Sequence, residues 1–212
     1  MNKLLVLFHK IKKHGIVSIM SLAFRRAFNT YIAKFHYLKM DINYPSIKNE
    51  IEDITNDINI KELSYEDFLL GDKSVFIGDK LKSIKKRCLD PSYKAYGIIE
   101  NNTLIYSTWI SLDKLGLPVK SNYNLLPEEG LLEDSYCHPS RRGQGLHSKM
   151  NAYRLGKLYE LGKTKCLAIV LDGNIYAYKV QMKSGFKDLG CFYAGLFFGI
   201  PFCTLKKQKF DI

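Results

Sequence analysis

Acidic residues are missing from the first 40 positions of the sequence, although the chain of 212 residues contains 21 of them. The same 40 positions carry eight Lys and Arg residues, and the formal net charge of the whole chain is +11. This charge predicts an anionic partner, which could be a membrane surface, a phosphate-rich cofactor or a nucleic acid. Helix-turn-helix, zinc and RNA-binding signatures are missing too, so we expect no nucleic-acid partner.

Cysteine pairs and metal-ligand patterns are also missing. The five cysteines are odd in number and form no Cys-x-x-Cys pair, which argues against a disulfide framework or a zinc knuckle and favours a reducing cytosol. His138 and His147 lack a third ligand at a suitable spacing, so we predict no metal site. The sequence also shows no Ser-His-Asp or Cys-His constellation, so it gives no indication of an enzyme that uses a nucleophilic side chain.

Residues 1–40 contain no run long enough to cross a bilayer. The uncharged apolar stretch at residues 15–24 is half of the ~20 residues that a transmembrane helix needs, and no small-residue site predicts a cleaved signal peptide. Apolar residues recur at helical spacing instead, so we predict a basic amphipathic helical segment over residues 1–40. Such a helix fits an anionic membrane face. The alternative is that it packs on the rest of the chain or on a second subunit, which leaves a homodimer open.

The remainder of the chain predicts one α/β (α+β) domain. Residues 41–57 are polar, contain Pro45 and are interpreted as a linker. From residue 58 onwards the pattern predicts strands at 58–63, 93–100, 103–112, 131–137 and 165–171, with further strands in 191–205. Helices are predicted after Ser64 and at 79–88, 146–161 and 174–185. Asn101 and Asn102 join two of the strands into a hairpin, because asparagine tolerates a left-handed turn.

One stretch predicts an anion-binding loop. A strand runs through Glu133 to Cys137 and into the turn Arg142-Gly143-Gln144-Gly145, and an amphipathic pattern begins at Leu146. Backbone N–H groups at a helix start have no intrahelical partner and lie at the positive end of the helix dipole, so they can bind a phosphate. The alternative is an ordinary turn followed by a helix.

This stretch resembles the acetyl-CoA-binding motif of the GNAT superfamily of N-acyltransferases. In that motif Val-x-Pro on a strand precedes Arg/Gln-x-x-Gly-x-Gly/Ala. Cys137-His138-Pro139 takes the place of Val-x-Pro, followed by Arg142 and Gly145, while His147 replaces the final Gly or Ala.

A second motif of the same superfamily follows the strand at 165–171. Its pattern is Asn-x-x-Ala-x-x-x-Tyr-x-Lys-x-Gly-Phe, and the matching residues are Asn174, Ala177, Lys183, Gly185 and Phe186. Gln181 stands in place of the tyrosine that protonates the departing coenzyme A thiolate in the family.

The resemblance implies a fold, a cofactor and its binding residues. We expect a GNAT-like domain over residues 58–212, with a central mixed, mostly antiparallel β-sheet flanked by helices. The expected co-substrate is acetyl-CoA or a short acyl-CoA, with no metal. The residues expected to bind it are Tyr136, Cys137, Arg142, Gly143, Gln144, Gly145, Leu146, His147 and Asn174.

The resemblance also suggests catalytic residues. Leu132-Glu133-Asp134 matches a triplet found in some polyamine acetyltransferases, so we predict Glu133 as the base, acting through water, with Asp134 in reserve. Alternation along a strand would point these two side chains to opposite faces, and either could instead be an ordinary strand-edge charge. Tyr178 lies one turn before Gln181 and is predicted to supply the missing acid, unless it only packs.

These observations predict a cytoplasmic N-acyltransferase that acetylates a primary amine. The aromatic strands over 93–112 would line a cleft suited to a ring or a chain, so an amino sugar of surface polysaccharide biosynthesis is the first expected acceptor, and a polyamine or another small amine is the second. Residues 1–40 would attach the enzyme to the inner face of the membrane. The alternative is a catalytically degenerate acyl-CoA-binding protein anchored at a membrane.

Overall fold

The computed structural model describes residues 30–115, 117 and 124–205. The strands are β1 (Tyr31–Asp41), β2 (Lys61–Glu62), β3 (Tyr93–Glu100), β4 (Thr103–Ser111), β5 (Glu129–Cys137), β6 (Lys165–Leu171), β7 (Lys187–Phe197) and β8 (Ile200–Cys203). The helices are α1 (Tyr44–Asp57), α2 (Tyr65–Phe68), α3 (Asp79–Cys88), α4 (Leu146–Glu160) and α5 (Ile175–Lys183). None of the described helices is both long and apolar enough to span a membrane.

The chain divides into two compact units. The larger unit comprises residues 36–116 and 122–190, and the smaller one comprises residues 1–35, 117–121 and 191–212. In the larger unit the strand order is β2-β3-β4-β5-β6-β1-β7. Each of the strands β2, β3 and β4 pairs antiparallel with the next strand in the chain, whereas β5 and β6 pair parallel. The expected mixed, mostly antiparallel sheet with flanking helices is therefore confirmed.

Helices cover both faces of the sheet of the larger unit. On one face α4 buries Met150, Leu155 and Leu158 in a core that includes Ile110 and Leu132. On the other face, α2 and α3 bury Phe68 and Ile84 against Trp109. Because side chains alternate along a strand, Trp109 and Ile110 of β4 face opposite sides. We refer to these sides as the α3 face and the α4 face.

Several local predictions are confirmed in detail. The helix at 79–88 and the strand at 165–171 have the predicted ends. Strands β3 and β4 form the predicted hairpin, and Asn101 and Asn102 adopt positive φ angles of 47° and 59°. Asp67 accepts the Ser64 N–H at 2.8 Å at the predicted start of α2. These features depend on neighbouring residues, so a local pattern was sufficient to identify them.

Two predictions about the N-terminal part are wrong. Residues 31–40 were assigned to the helical segment but form β1, whose aromatic residues Phe35 and Tyr37 are buried two positions apart. Residues 41–57 were assigned to a linker but contain α1. Pro45 lies in the first turn of α1, where proline is tolerated, and the helix packs along α4 through Ile51. The predicted helices within residues 1–29 lie outside the described residues.

The smaller unit contains a hairpin. Its strand order is β1-β7-β8, and β7 and β8 pair antiparallel up to Phe197 and Ile200. Gly195 allows the close approach of β1, since a Cβ there would lie 1.7 Å from the Tyr31 carbonyl oxygen. The stacked rings of Phe35 and Phe192, with centroids 5.5 Å apart, are both buried.

A buried ion pair in the larger unit gives a test of the fold. Lys39 Nζ lies 3.2 Å from Glu129 Oε1, and the two side chains are 14% and 3% exposed. Replacing Lys39 by Met leaves the carboxylate buried without its counter-charge, so we expect the free energy of unfolding to fall by about 3 kcal/mol. Urea denaturation followed by circular dichroism measures this change.

The matched control is Lys48→Met. Lys48 pairs with Glu52 at 3.8 Å on an exposed helix face, where ion pairs contribute little, so its unfolding midpoint should match that of the wild type. Equal losses in the two variants would contradict the assignment of a buried pair.

Candidate functional site

The predicted anion loop leads directly into α4. Gly143 and Gly145 have φ angles of +79° and +73°, a left-handed conformation that glycine adopts without steric cost. The N–H groups of Ser148 and Lys149 both bond to the Gly145 carbonyl, at 3.0 and 3.2 Å. The N–H groups of Leu146 and His147 open the helix and lack intrahelical acceptors. The loop therefore has the geometry and polarity of an anion site.

Two arginines border the loop, and they have different roles. Arg141 is engaged by the Glu100 carboxylate and donates to Gln144 Oε1 at 3.1 Å. Arg142 is exposed, and its Nε donates to the Cys137 carbonyl at 3.3 Å. Of these two arginines, Arg142 is therefore the one without a carboxylate partner among the described residues, and it can add charge to the loop.

Strands β5 and β6 separate just before this loop. Their parallel pairing runs from Glu129 opposite Lys165 to Leu132 opposite Ala168. β5 continues to Cys137 beyond that point and β6 to Leu171. The last residues of β5, including Tyr136 and Cys137, thus present backbone groups on the side where β6 has departed.

A β-bulge changes the direction of Glu133 and Asp134. Glu133 pairs with Trp109 and Tyr136 with Ser107, so β5 has one more residue than β4 across this step. Asp134 occupies the extra position with a φ of +34°. The two carboxylates were predicted to point to opposite faces, and this is wrong. The bulge turns both towards Arg87, at 3.2 Å for Glu133 and 3.5 Å for Asp134.

Arg87 of α3 organises this side of the site. Its guanidinium lies between the rings of Tyr93 and Trp109, 5.4 and 5.5 Å from their centroids. The Glu133 side chain is 7% exposed and that of Asp134 is 36% exposed. Lys80 also contacts Asp134, at 3.0 Å. Lys80, Ile84 and Arg87 recur at helical spacing, which is the signal in the sequence that these residues share one side of α3.

A hydrogen-bonded chain links α4 to the bulge on the other face. His147 Nδ1 lies 2.5 Å from the Tyr106 hydroxyl, and Tyr106 also bonds to Ser135. Ser135 Oγ in turn lies 2.9 Å from Thr108 Oγ1. Burial, with a smaller contribution from Arg154, lowers the pKa of His147 to about 4. His147 is therefore a neutral, inward-facing residue at the position where the family motif has Gly or Ala.

Arg154 of α4 forms a second buried network beneath the bulge. The residue is 1% exposed, and its Nη1 donates to the carbonyls of Trp109 and Glu133, each at 3.3 Å. Its Nη2 donates to Asn151 Oδ1, and Asn151 Nδ2 donates to Gln181 Oε1 at 3.0 Å. The glutamine that replaces the family tyrosine is therefore held inside this network. Neither Arg154 nor Asn151 was identified from the sequence.

Tyr178 and Asn174 lie on α5. The Tyr178 hydroxyl donates to Asp188 Oδ2 at 3.0 Å, and its ring packs on His36 with centroids 4.8 Å apart. Tyr178 packs against the core of the α4 face, whereas Glu133 meets Arg87 from α3. The structure thus brings Glu133 and Asp134 together but not Tyr178. Asn174 caps α5 by accepting the Ala177 N–H at 3.2 Å.

The ligand types that bind metals do not assemble in the described ranges. No group of three or more His, Cys, Asp and Glu side chains there is placed to hold a metal ion.

Comparison with known proteins shows the fold. No protein-family model and no curated protein matches the sequence. Among solved structures, a conserved Staphylococcus epidermidis protein of unknown function aligns with a TM-score of 0.52 at 12% identity, over 81% of this chain and 64% of that one. A Drosophila protein aligns with a TM-score of 0.51 at 13% identity, over 77% and 50%. This chain thus spans less than two thirds of either.

Acetyltransferases also occur among the similar structures. An aminoglycoside 6′-N-acetyltransferase from Acinetobacter baumannii aligns with a TM-score of 0.47 at 12% identity, over 61% of this chain and 90% of that one.

The half-buried His147 predicts a pH dependence of the free energy of unfolding. Its pKa is about 4 in the folded chain and about 6.5 in an unfolded one. As the pH falls through this window, the unfolded chain gains a proton that the folded chain does not bind. The free energy of unfolding should therefore fall by up to about 3 kcal/mol from this residue between pH 6.5 and 4.

The measurement is urea denaturation across that pH range for the wild type and for His147→Gln, which keeps an acceptor for Tyr106. The variant should show a shallower decline. If the free energies of unfolding of the two proteins fall in parallel with pH, the assignment of His147 as a half-buried neutral residue is contradicted.

Proposed function

We propose that the chain transfers an acetyl or short acyl group from acyl-CoA to a primary amine. The observation that carries the proposal is a juxtaposition at one end of β5. There the strand leaves β6, and the Arg142–Gly145 turn opens α4 with left-handed glycines. A pyrophosphate is suited to a helix start, and the amides of a pantetheine arm can pair with backbone groups that no neighbouring strand uses.

The residues around that end of β5 fit such a cofactor. Tyr136 and Cys137 offer backbone groups, and the loop from Arg142 to His147 offers N–H groups and one guanidinium. His147 fits because its ring is turned inward to Tyr106. The histidine therefore replaces the small residue of the motif without placing its side chain over the loop. Asn174 would act through the start of α5, which it caps.

Acyl transfer to an amine needs a neutral amine, a stabilised oxyanion and a proton for the thiolate. We propose that Glu133 and Asp134 act on the amine. Glu133 would be the base, acting through water, and Asp134, which is more exposed, would bind the substrate ammonium group. Both contact Arg87, so an amine that enters would compete with this guanidinium for the carboxylates. A thiol with a pKa of about 8.5 leaves tolerably well without an acid.

A cleft on the α3 face supports the choice of acceptor. It has a volume of about 330 Å³, and its lining includes aromatic residues and charges of both signs: Tyr65, Tyr93, Trp109, Glu62, Glu66, Lys85 and Lys94. Tyr93 and Trp109 are also the rings that enclose Arg87. An aromatic wall suits a sugar ring, and Glu66 suits an ammonium group, whereas Glu62 is paired with Lys94 at 2.9 Å. We propose an amino sugar, as used in surface polysaccharides. A polyamine or another small amine is the alternative acceptor.

A second candidate function rests on Gln181. Its amide is bonded to Asn151 inside the buried network, and the nearby Tyr178 hydroxyl is engaged by Asp188. A chain without an acid for the thiolate could bind acyl-CoA and not turn it over. Binding and turnover therefore have to be measured separately.

The binding prediction concerns Gly145. Replacing Gly145 by Ala forces a side chain into a left-handed position at the point where the N–H groups must face the pyrophosphate. We expect the dissociation constant for acetyl-CoA, measured by calorimetry, to rise about tenfold or more, or ~1.4 kcal/mol.

The matched control is Gly162→Ala. Gly162 follows the other end of the same helix, and its φ is +80° with no atom within 4 Å of an added Cβ. Its backbone strain is comparable, but acetyl-CoA affinity should remain unchanged. If both variants bind like the wild type, the loop is not the cofactor site.

The turnover prediction concerns Glu133. Acetyl-CoA is incubated with a panel of amino sugars and polyamines, and free thiol is measured. Glu133→Gln should lower kcat/KM by about 100-fold with cofactor affinity kept, whereas Glu160→Gln, which removes a surface carboxylate paired with Lys157, should have no effect. If the wild type binds acetyl-CoA but none of the amines in the panel yields free thiol, the acyl-CoA-binding alternative is correct.

A further inference from the structure

The tip of the β7–β8 hairpin exposes a cluster of large apolar side chains. Phe197, Phe198 and Ile200 are 52%, 53% and 68% exposed. The rings of Phe197 and Phe198 meet edge to face, with centroids 4.7 Å apart. Phe197, Ile200, Phe202 and Ile32 line an apolar hollow of about 320 Å³. Contiguous exposed apolar surface of this kind marks an interaction site.

The turn of this hairpin does not have the residues that its backbone favours. Phe197 pairs with Ile200, so Phe198 and Gly199 form a two-residue turn. Both have positive φ angles, 51° and 77°, as a type I′ turn requires. Asparagine or glycine is suited to the first position, and a bulky aromatic residue is rare there. A half-exposed phenylalanine with a positive φ is therefore unusual at the tip of a hairpin of this type.

The net charge is concentrated in the smaller unit, which contains this hairpin. That unit has 11 of the 32 Lys and Arg residues and one of the 21 Asp and Glu residues, a net charge of +10. The larger unit has 21 cations and 20 anions, which nearly cancel. The partner of the smaller unit must therefore be anionic as well as able to accept apolar side chains.

Thr30, the first described residue, lies at the hairpin tip. The Phe198 N–H donates to Thr30 Oγ1 at 3.2 Å, and residues 1–29 precede Thr30 with six Lys and Arg residues and no acid. A lipid bilayer with anionic headgroups offers both an apolar boundary and a negative surface. Nucleic acid offers the negative charge but no apolar layer for an aliphatic side chain such as Ile200.

We propose that Phe197, Phe198 and Ile200 insert into the surface of an anionic lipid bilayer while the cations of the smaller unit bind the headgroups. This surface is independent of acyl transfer, since the residues of the candidate site belong to the larger unit. The sequence predicts membrane attachment through residues 1–40, and the proposal adds the β7–β8 hairpin to that attachment.

The test uses the full chain and sedimentation with vesicles. Vesicles of equal parts phosphatidylcholine and phosphatidylserine should bind the wild type, and vesicles of phosphatidylcholine alone should bind it far more weakly. The variant Phe197→Ser/Phe198→Asn/Ile200→Ser should reduce the partition coefficient on the anionic vesicles by on the order of 100-fold. Its asparagine suits the turn, so the hairpin should keep its fold, which unchanged acetyl-CoA binding and thermal unfolding would verify.

The matched control replaces two exposed apolar residues of the larger unit, Leu89→Ser/Tyr176→Ser. These residues are 78% and 88% exposed, and their replacement should leave vesicle binding unchanged. Insertion itself is read by fluorescence of Phe198→Trp, whose emission should shift to the blue on anionic vesicles, whereas that of Tyr176→Trp should not.

Three outcomes would overturn the proposal. The hairpin variant could bind anionic vesicles like the wild type. The wild type could be a dimer that the variant converts to a monomer, with vesicle binding unchanged, in which case the tip contacts a second copy. Duplex DNA could bind with an affinity that the variant does not alter while vesicles do not bind, in which case the charge serves nucleic acid.

Discussion

The Arg154 guanidinium, buried under the β5 bulge, is the contact on which the candidate site depends. A buried cation must find acceptors, and here the carbonyls of Trp109 and Glu133 supply two of them. Those carbonyls belong to the two strands that lose register at the bulge. The same bulge turns Glu133 and Asp134 to one guanidinium on the opposite face. Arg154 thus connects the helix that begins at the anion loop with the strand that carries the carboxylates.

The same network explains why Gln181 is compatible with the fold. The Gln181 carbonyl oxygen accepts from the Asn151 NH₂ group, while the Asn151 carbonyl oxygen accepts from Arg154. The chain of contacts from Arg154 through Asn151 to Gln181 joins both helices to the bulge. Gln181 is thus part of the buried network, and in the proposed acyl transfer a proton for the thiolate has to come from another group or from water.

Sequence patterns predicted the elements whose signals are local. The hairpin at Asn101-Asn102, the buried strand β6 and the glycine loop before α4 each depend on neighbouring residues, and the structure has them where expected. Strand β1 was misread because its aromatic residues fit a helical spacing as well as an alternating one, and only pairing partners distant in sequence decide between the two. The bulge and the Arg87 contacts were beyond prediction for the same reason. The bulge pairs residues 24 to 29 positions apart, and Arg87 meets carboxylates 46 and 47 positions away.

The distribution of charge separates two kinds of anion recognition. The larger unit is nearly neutral, although it contains the loop proposed to bind a pyrophosphate. Binding there must therefore depend on oriented backbone N–H groups and on Arg142, which act at short range and select a shape. In the proposed membrane contact, the cations of the smaller unit would instead act over a Debye length on an extended surface. A cofactor with few phosphates needs the first kind, and so the excess charge of the chain is not explained by acyl-CoA. We therefore assign this excess charge to the lipid surface proposed as the partner of the smaller unit.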